Sequence, residues 1–81
     1  MNQNELKDII LKGLKQVAPN ANVEELGMDE NLRDALDIDS FDHLNFLIAI
    51  DETLGVNIPE KDYGKLNTVA EVINYLNVRV A

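Results

Sequence analysis

Few side chains in this 81-residue, cysteine-free chain could do covalent chemistry, and Ser40 stands in the most suggestive place. It lies in the run Leu36-Asp37-Ile38-Asp39-Ser40-Phe41-Asp42, where an irregular polar stretch gives way to a strongly apolar helical pattern. A serine directly after an aspartate at a helix mouth has two readings. Both residue types can cap a helix, because their side-chain oxygens accept hydrogen bonds from the free N–H groups of the first turn. Alternatively, the serine is an attachment point for a phosphate ester, since those N–H groups and the helix dipole favour phosphate.

Catalysis has little else to work with. His43 is the only histidine and lies three residues after Ser40, within reach on a helix. A nucleophilic serine needs a base that is itself held by a third group. No glycine-rich elbow accompanies Ser40, and a chain this short leaves little room for a substrate pocket. The pattern argues against an enzyme, and His43 reads as a solvated helix residue. The acids invite a calcium loop, which needs oxygen ligands at positions one, three and five, glycine at six and glutamate at twelve. Counted from Asp37, those places hold Phe41 at five, Asp42 at six and Ile48 at twelve, so no specific metal site is expected.

Fifteen acids against seven bases give a formal net charge of −8. No base lies between Arg33 and Lys61, an interval that carries Asp34, Asp37, Asp39, Asp42, Asp51, Glu52 and Glu60. Such a field repels nucleic acid and anionic lipid and attracts basic protein surfaces. The same acids also keep a small protein soluble. No apolar run approaches the length of a membrane span, and Met1-Asn2-Gln3-Asn4-Glu5 lacks the basic and apolar regions of a signal peptide. The expected location is the cytoplasm, without membrane insertion.

The elements that must position Ser40 follow from hydrophobic spacing. Leu6, Ile9, Ile10, Leu14 and Val17 predict an amphipathic helix over 4–17, with Asn4 as its N-cap, stopped by Pro19. Residues 20–39 are irregular, yet Val23, Leu26, Met28, Leu32, Leu36 and Ile38 are numerous enough to pin this connection to a core, with a single turn at Glu24-Glu25-Leu26. A second helix is predicted over 40–54, capped by Asp39 and ended by Gly55. Leu44, Leu47, Ile48 and Leu54 mark its apolar face, widened by Phe41, Phe46 and Ile50, a breadth suited to a central helix or one that meets a partner. Pro59-Glu60 opens a short turn through about residue 65. Thr68-Val69-Ala70-Glu71 is a capping box for a last helix to about residue 76, with 78–81 fraying. The fold class is all-α: one domain over 1–81, a four-helix bundle with a long first connection and a short third helix.

Residues 36–76 resemble an acyl carrier protein, the small acidic helical carrier that bears a 4′-phosphopantetheine arm. The resemblance rests on Asp39-Ser40-Phe41 opening a helix, the pattern through Glu52-Thr53-Leu54, then Val56-Asn57-Ile58-Pro59, and Leu66-Asn67-Thr68-Val69 before the closing helix. The first helix and long connection match the family's order of elements, so nearly the whole chain is covered. The resemblance implies that Ser40, with Asp39 as the adjacent motif residue, is esterified to phosphopantetheine delivered from coenzyme A by a separate phosphopantetheinyl transferase. The arm's thiol would then hold acyl groups as thioesters in fatty-acid, lipid or specialised acyl metabolism. Phe41, Asp42, Asp51 and Glu52 are the candidates for meeting basic patches on acyl-loading and acyl-processing enzymes, although each is also intelligible as a solvated or anchoring residue. A monomer is expected. A peptidyl or aminoacyl carrier with the same arm, and an unmodified acidic interaction module in which Ser40 only caps, stay open as alternatives. The family's usual glycine two residues before the aspartate is Asp37 here, the acid before the preceding leucine is Ala35, and an acid five residues after the serine is Asn45. These departures bear on which partner enzymes are used.

Overall fold

Leu6, Ile10 and Leu14 recur every four residues, and in a computed structural model, which describes residues 2–80, they line the buried side of helix α1 (Gln3–Val17). Its cap is Asn2 rather than Asn4: the Asn2 side chain accepts from the Glu5 N–H at 2.8 Å, two residues earlier than the apolar pattern alone suggested. The helix ends before Pro19, with the Ala18 N–H donating to the Leu14 carbonyl at 2.8 Å.

The connection that follows is more ordered than its sequence suggested. It holds one 3-10 turn at Val23–Glu25 and a five-residue helix, α2 (Leu32–Leu36), absent from the sequence reading. Asn31 caps α2 by accepting from the Asp34 N–H at 3.1 Å. Val23, Leu32 and Ile38 are buried, while Leu26, Met28 and Leu36 pack against the core from its edge. Two main-chain bonds fix the connection to the start of the last helix: Leu32 N–H to the Asn67 carbonyl at 2.8 Å and Ala70 N–H to the Met28 carbonyl at 3.0 Å.

Helix α2 ends with Asp37 in the left-handed region, at φ 52° and ψ 47°, and the Ile38 N–H reaching back to the Arg33 carbonyl at 3.1 Å. This is the six-to-one closure usually formed around glycine. Aspartate tolerates the left-handed region better than most side chains, which lets the chain turn here without glycine. Helix α3 (Ser40–Leu54) ends in the same motif at Gly55, φ 65°, with the Val56 N–H to the Asp51 carbonyl at 3.3 Å.

The buried face of α3 is His43, Phe46, Leu47 and Ile50. Ile48, expected in the core, is 39% exposed, and Phe41 is 67% exposed. The helix is apolar nearly all round, so periodicity could not orient it; packing against α1 does. A Cβ at Gly13 would come within 3.1 Å of the Phe46 ring, so the glycine that weakens α1 is also what lets Phe46 seat against it.

After α3, Pro59 leads into a 3-10 helix at Glu60–Lys65, the short third helix of the bundle. Helix α4 (Val69–Val80) begins with the expected capping chemistry: Glu71 N–H donates to Thr68 Oγ1 at 3.1 Å, and Glu71 Oε1 accepts from the Asn67 N–H at 3.0 Å. It runs past residue 76 to Val80, with Arg79 over the Tyr75 ring at 3.7 Å. Of the fraying expected at 78–81, residue 81 lies outside the described residues. Val69, Val72, Ile73 and Leu76 are buried and close the core with α1 and α3.

Candidate functional site

Ser40 is the first residue of α3 and is exposed. The residue before it is the cap: Asp39 has extended backbone angles and its Oδ1 accepts from the Asp42 N–H at 2.9 Å. The first intrahelical bond runs from the His43 N–H to the Asp39 carbonyl at 3.0 Å, which leaves the N–H groups of Ser40 and Phe41 ahead of the ladder at the positive end of the dipole. The aspartate thus does the capping, and the serine hydroxyl projects from the helix mouth without a bond to any described side chain or backbone group.

Beside Ser40 opens a groove of about 450 Å³ between the start of α3 and the Glu60–Lys65 helix. Phe41 and Leu44 form its α3 side, Tyr63 and Glu60 the opposite side, and Arg33 reaches it from α2. Arg33 is the only Lys or Arg between Lys15 and Lys61, and it lines the groove that Ser40 borders. A phosphodiester on the Ser40 oxygen fits here: the serine is exposed, it opens a helix N-terminus, and Arg33 lines the same groove.

The other residues singled out in the sequence do not form one cluster. Phe41 flanks the groove with Ser40. Asp42 lies on the other side of the helix mouth, half-buried toward Val17, Asp37 and Ile38. Asp51 and Glu52 lie eleven and twelve residues along the same helix, roughly 17 Å away at 1.5 Å per residue. Asp51 is engaged: its Oδ2 accepts from the Ile58 N–H at 3.0 Å and shapes the turn after α3. Glu52 is exposed.

His43, expected to be solvated, is 7% exposed, and its Nε2 lies 2.7 Å from the Leu66 carbonyl oxygen. It borders the groove, and nothing in the sequence links it to an acceptor twenty-three residues on. The far side of the groove is held by a second group the sequence reading missed, Asp62. It is buried at 6% exposure and accepts from the Tyr75 hydroxyl at 2.7 Å, with Lys65 and Arg79 at 3.5 and 3.6 Å. The Tyr75 bond holds the Asp62 carboxyl below its ordinary value of 3.8, with help from Lys65 and against the opposing effect of burial. Burial first, and the bond to Asp62 second, push Tyr75 up to about 12.

Residues 4–76 match the family described as the phosphopantetheine attachment site. The chain is 30% identical over 81 residues to an acyl carrier protein of Thermosynechococcus vestitus, covering 100% of this chain and 99% of that one. An acyl carrier protein of Streptomyces coelicolor is 30% identical over 78 residues, 96% of this chain and 80% of the relative. One from Rickettsia bellii is 28% identical over 75 residues, 90% and 87% of the two chains.

Proposed function

This chain belongs to the phosphopantetheine attachment-site family, and from that premise we propose that Ser40 is the residue that bears its arm. It is an acyl carrier, which presents cargo to enzymes and performs no catalysis of its own. The observation that carries the assignment is the division of labour at the mouth of α3: Asp39 takes the capping bond, so the Ser40 hydroxyl stays free and exposed at a helix N-terminus.

Attachment joins Ser40 Oγ to the phosphorus of coenzyme A's phosphopantetheine half. The phosphoanhydride bond breaks, adenosine 3′,5′-bisphosphate departs, and the serine proton passes to a base. The only imidazole of this chain, His43, is buried with its Nε2 engaged by the Leu66 carbonyl. The base belongs to the phosphopantetheinyl transferase, which has to bring its own site to the helix mouth. The first-turn N–H groups and Arg33 favour the phosphate once it is there. When bound, the group supplies the thiol on which acyl cargo is carried, chemistry for which this cysteine-free chain has no side chain.

Partner enzymes would meet Phe41 and the exposed acids of α3 through basic patches. Asp51 is the weakest of the nominated contacts, since its carboxylate already holds the Ile58 turn. No described helix is long and apolar enough to cross a membrane. Asn45, where an acid is usual, supports a carrier serving a specialised set of enzymes.

Intact-mass measurement of wild type and Ser40→Ala, each incubated with a phosphopantetheinyl transferase and coenzyme A, tests the assignment. Wild type should gain the mass of one phosphopantetheine and Ser40→Ala none. Addition to the variant would place the arm elsewhere, and no addition to either chain would support the unmodified interaction module instead.

A further inference from the structure

One residue lining the groove beside Ser40, His43, is buried and hydrogen-bonded to the main chain behind it. A carbonyl oxygen only accepts, so the His43 Nε2 that lies 2.7 Å from the Leu66 oxygen carries a proton. The same ring stands 6.3 Å from the ring of Phe46, centroid to centroid, and Phe46 is fully enclosed. His43 therefore has the groove on one side and the core on the other. Its bond ties α3 to Leu66, the residue that ends the Glu60–Lys65 helix and leads toward α4. The other buried side chains of α3, those of Phe46, Leu47 and Ile50, are apolar.

We infer that His43 determines cargo specificity by sealing the core from the groove, so that this carrier takes short or polar acyl groups and excludes long saturated ones from its interior. The inference rests on the reading of Ser40 given above. An alkyl chain that passed between Leu44 and Tyr63 would have to part His43 from Leu66. It would leave a buried N–H and a buried carbonyl without partners, and it has no polar atom with which to replace either. An apolar side chain at this position could shift rotamer to admit the chain with no such loss. Arg33 and Glu60 at the rim offer charge and hydrogen bonds to cargo that stays outside.

The test compares acetyl and octanoyl forms of the full chain, made with the transferase from the corresponding coenzyme A thioesters, with attachment verified on the Ser40 peptide. The two wild-type forms should melt together. In His43→Leu the octanoyl form should melt above the acetyl form by roughly 4–8 °C. His43→Gln, whose amide can still donate to Leu66, should behave as wild type. Taking the difference between two cargoes within each variant cancels any change in the variant's own stability. A wild-type octanoyl form that gains the same margin overturns the inference, and that comparison stands even if His43→Leu does not fold. A folded His43→Leu that gains nothing from octanoyl overturns it too. Absence of the arm from the Ser40 peptide would refute the carrier site itself, whereas chain-length-dependent melting of a correctly loaded wild type would refute only the role of His43.

Discussion

The two faces of α3 invert the simplest expectation about burial. The inner face contains a histidine, and the outer face carries Phe41 and Ile48. Hydrophobicity alone does not sort them. His43 goes inside because Leu66 offers its carbonyl there, and Phe46 goes inside because Gly13 leaves room for its ring. Phe41 and Ile48 remain outside on a helix whose inner face is already filled. The face that anchors the helix is thus specified by complementary partners, and the face left over holds the serine and its apolar neighbours.

Breaking the inner face should have the largest effect. Phe46→Ala should cost about 3–5 kcal/mol, as much as the whole stability of many small domains. Ile48→Ala, two residues away, should stay within about 0.5 kcal/mol. Urea melts of the two variants read the contrast directly, and similar losses for both would show that the faces are misassigned.

The same contrast between a polar group held inside and polar groups left outside recurs in the acids. Asp62 is buried and bonded, whereas Asp39 faces solvent at the helix mouth. Tyr75, pushed up to about 12 in the folded chain, contributes stability that is fully present below its ordinary 10.0 and is lost as pH rises from there toward 12. Asp62, held below 3.8, contributes stability that is present above that value and lost as pH falls through the lower folded value. Melting curves across pH should therefore show an alkaline loss that Tyr75→Phe flattens, and an acid loss that Asp62→Asn flattens. A Tyr75→Phe chain that keeps the full alkaline loss would place its origin elsewhere.

Next in size is the mouth of α3. Asp39→Ala removes the bond to the Asp42 N–H and should cost about 1 kcal/mol, while Ser40→Ala, which removes no capping bond, should cost a few tenths at most, about the scale of a neutral surface change. Equal losses in thermal melts would mean the serine shares the capping. The smallest effect is expected on the outer face. Asn45→Glu should tighten binding to a general fatty-acid ketosynthase only a few-fold, since an exposed ion pair is worth about 0.2–1 kcal/mol. The gain should appear mainly in the association rate and shrink with salt. A wild type that already binds such an enzyme tightly, with no change on mutation, would remove the case for specialisation at this helix.

Much of this was legible in the sequence, and the omissions have a common cause. Local signals identified α1, α3, the short third helix and the cap chemistry at Asp39, Gly55 and Thr68, because each depends on residues within a turn or two of one another. The choice of face on α3 was not legible, since Phe41, Leu44, Phe46, Leu47, Ile48 and Ile50 leave no clear polar side. Helix α2 was missed because five residues carry too little periodicity to register. His43 and Asp62 were missed for a different reason: their partners, Leu66 and Tyr75, lie twenty-three and thirteen residues away, and only the folded chain brings each pair together. Asp37 was visible as a departure from glycine, but only the backbone shows that it occupies the left-handed conformation glycine would have eased.

The two main-chain bonds between the long connection and the start of α4 have an evolutionary consequence. A pairing of Leu32 N–H with the Asn67 carbonyl, and of Ala70 N–H with the Met28 carbonyl, uses groups that almost every residue type possesses. Between its few buried anchors, the connection can therefore exchange side chains over generations while keeping its path. Lineages can redraw the exposed surface next to the serine without renegotiating the scaffold beneath.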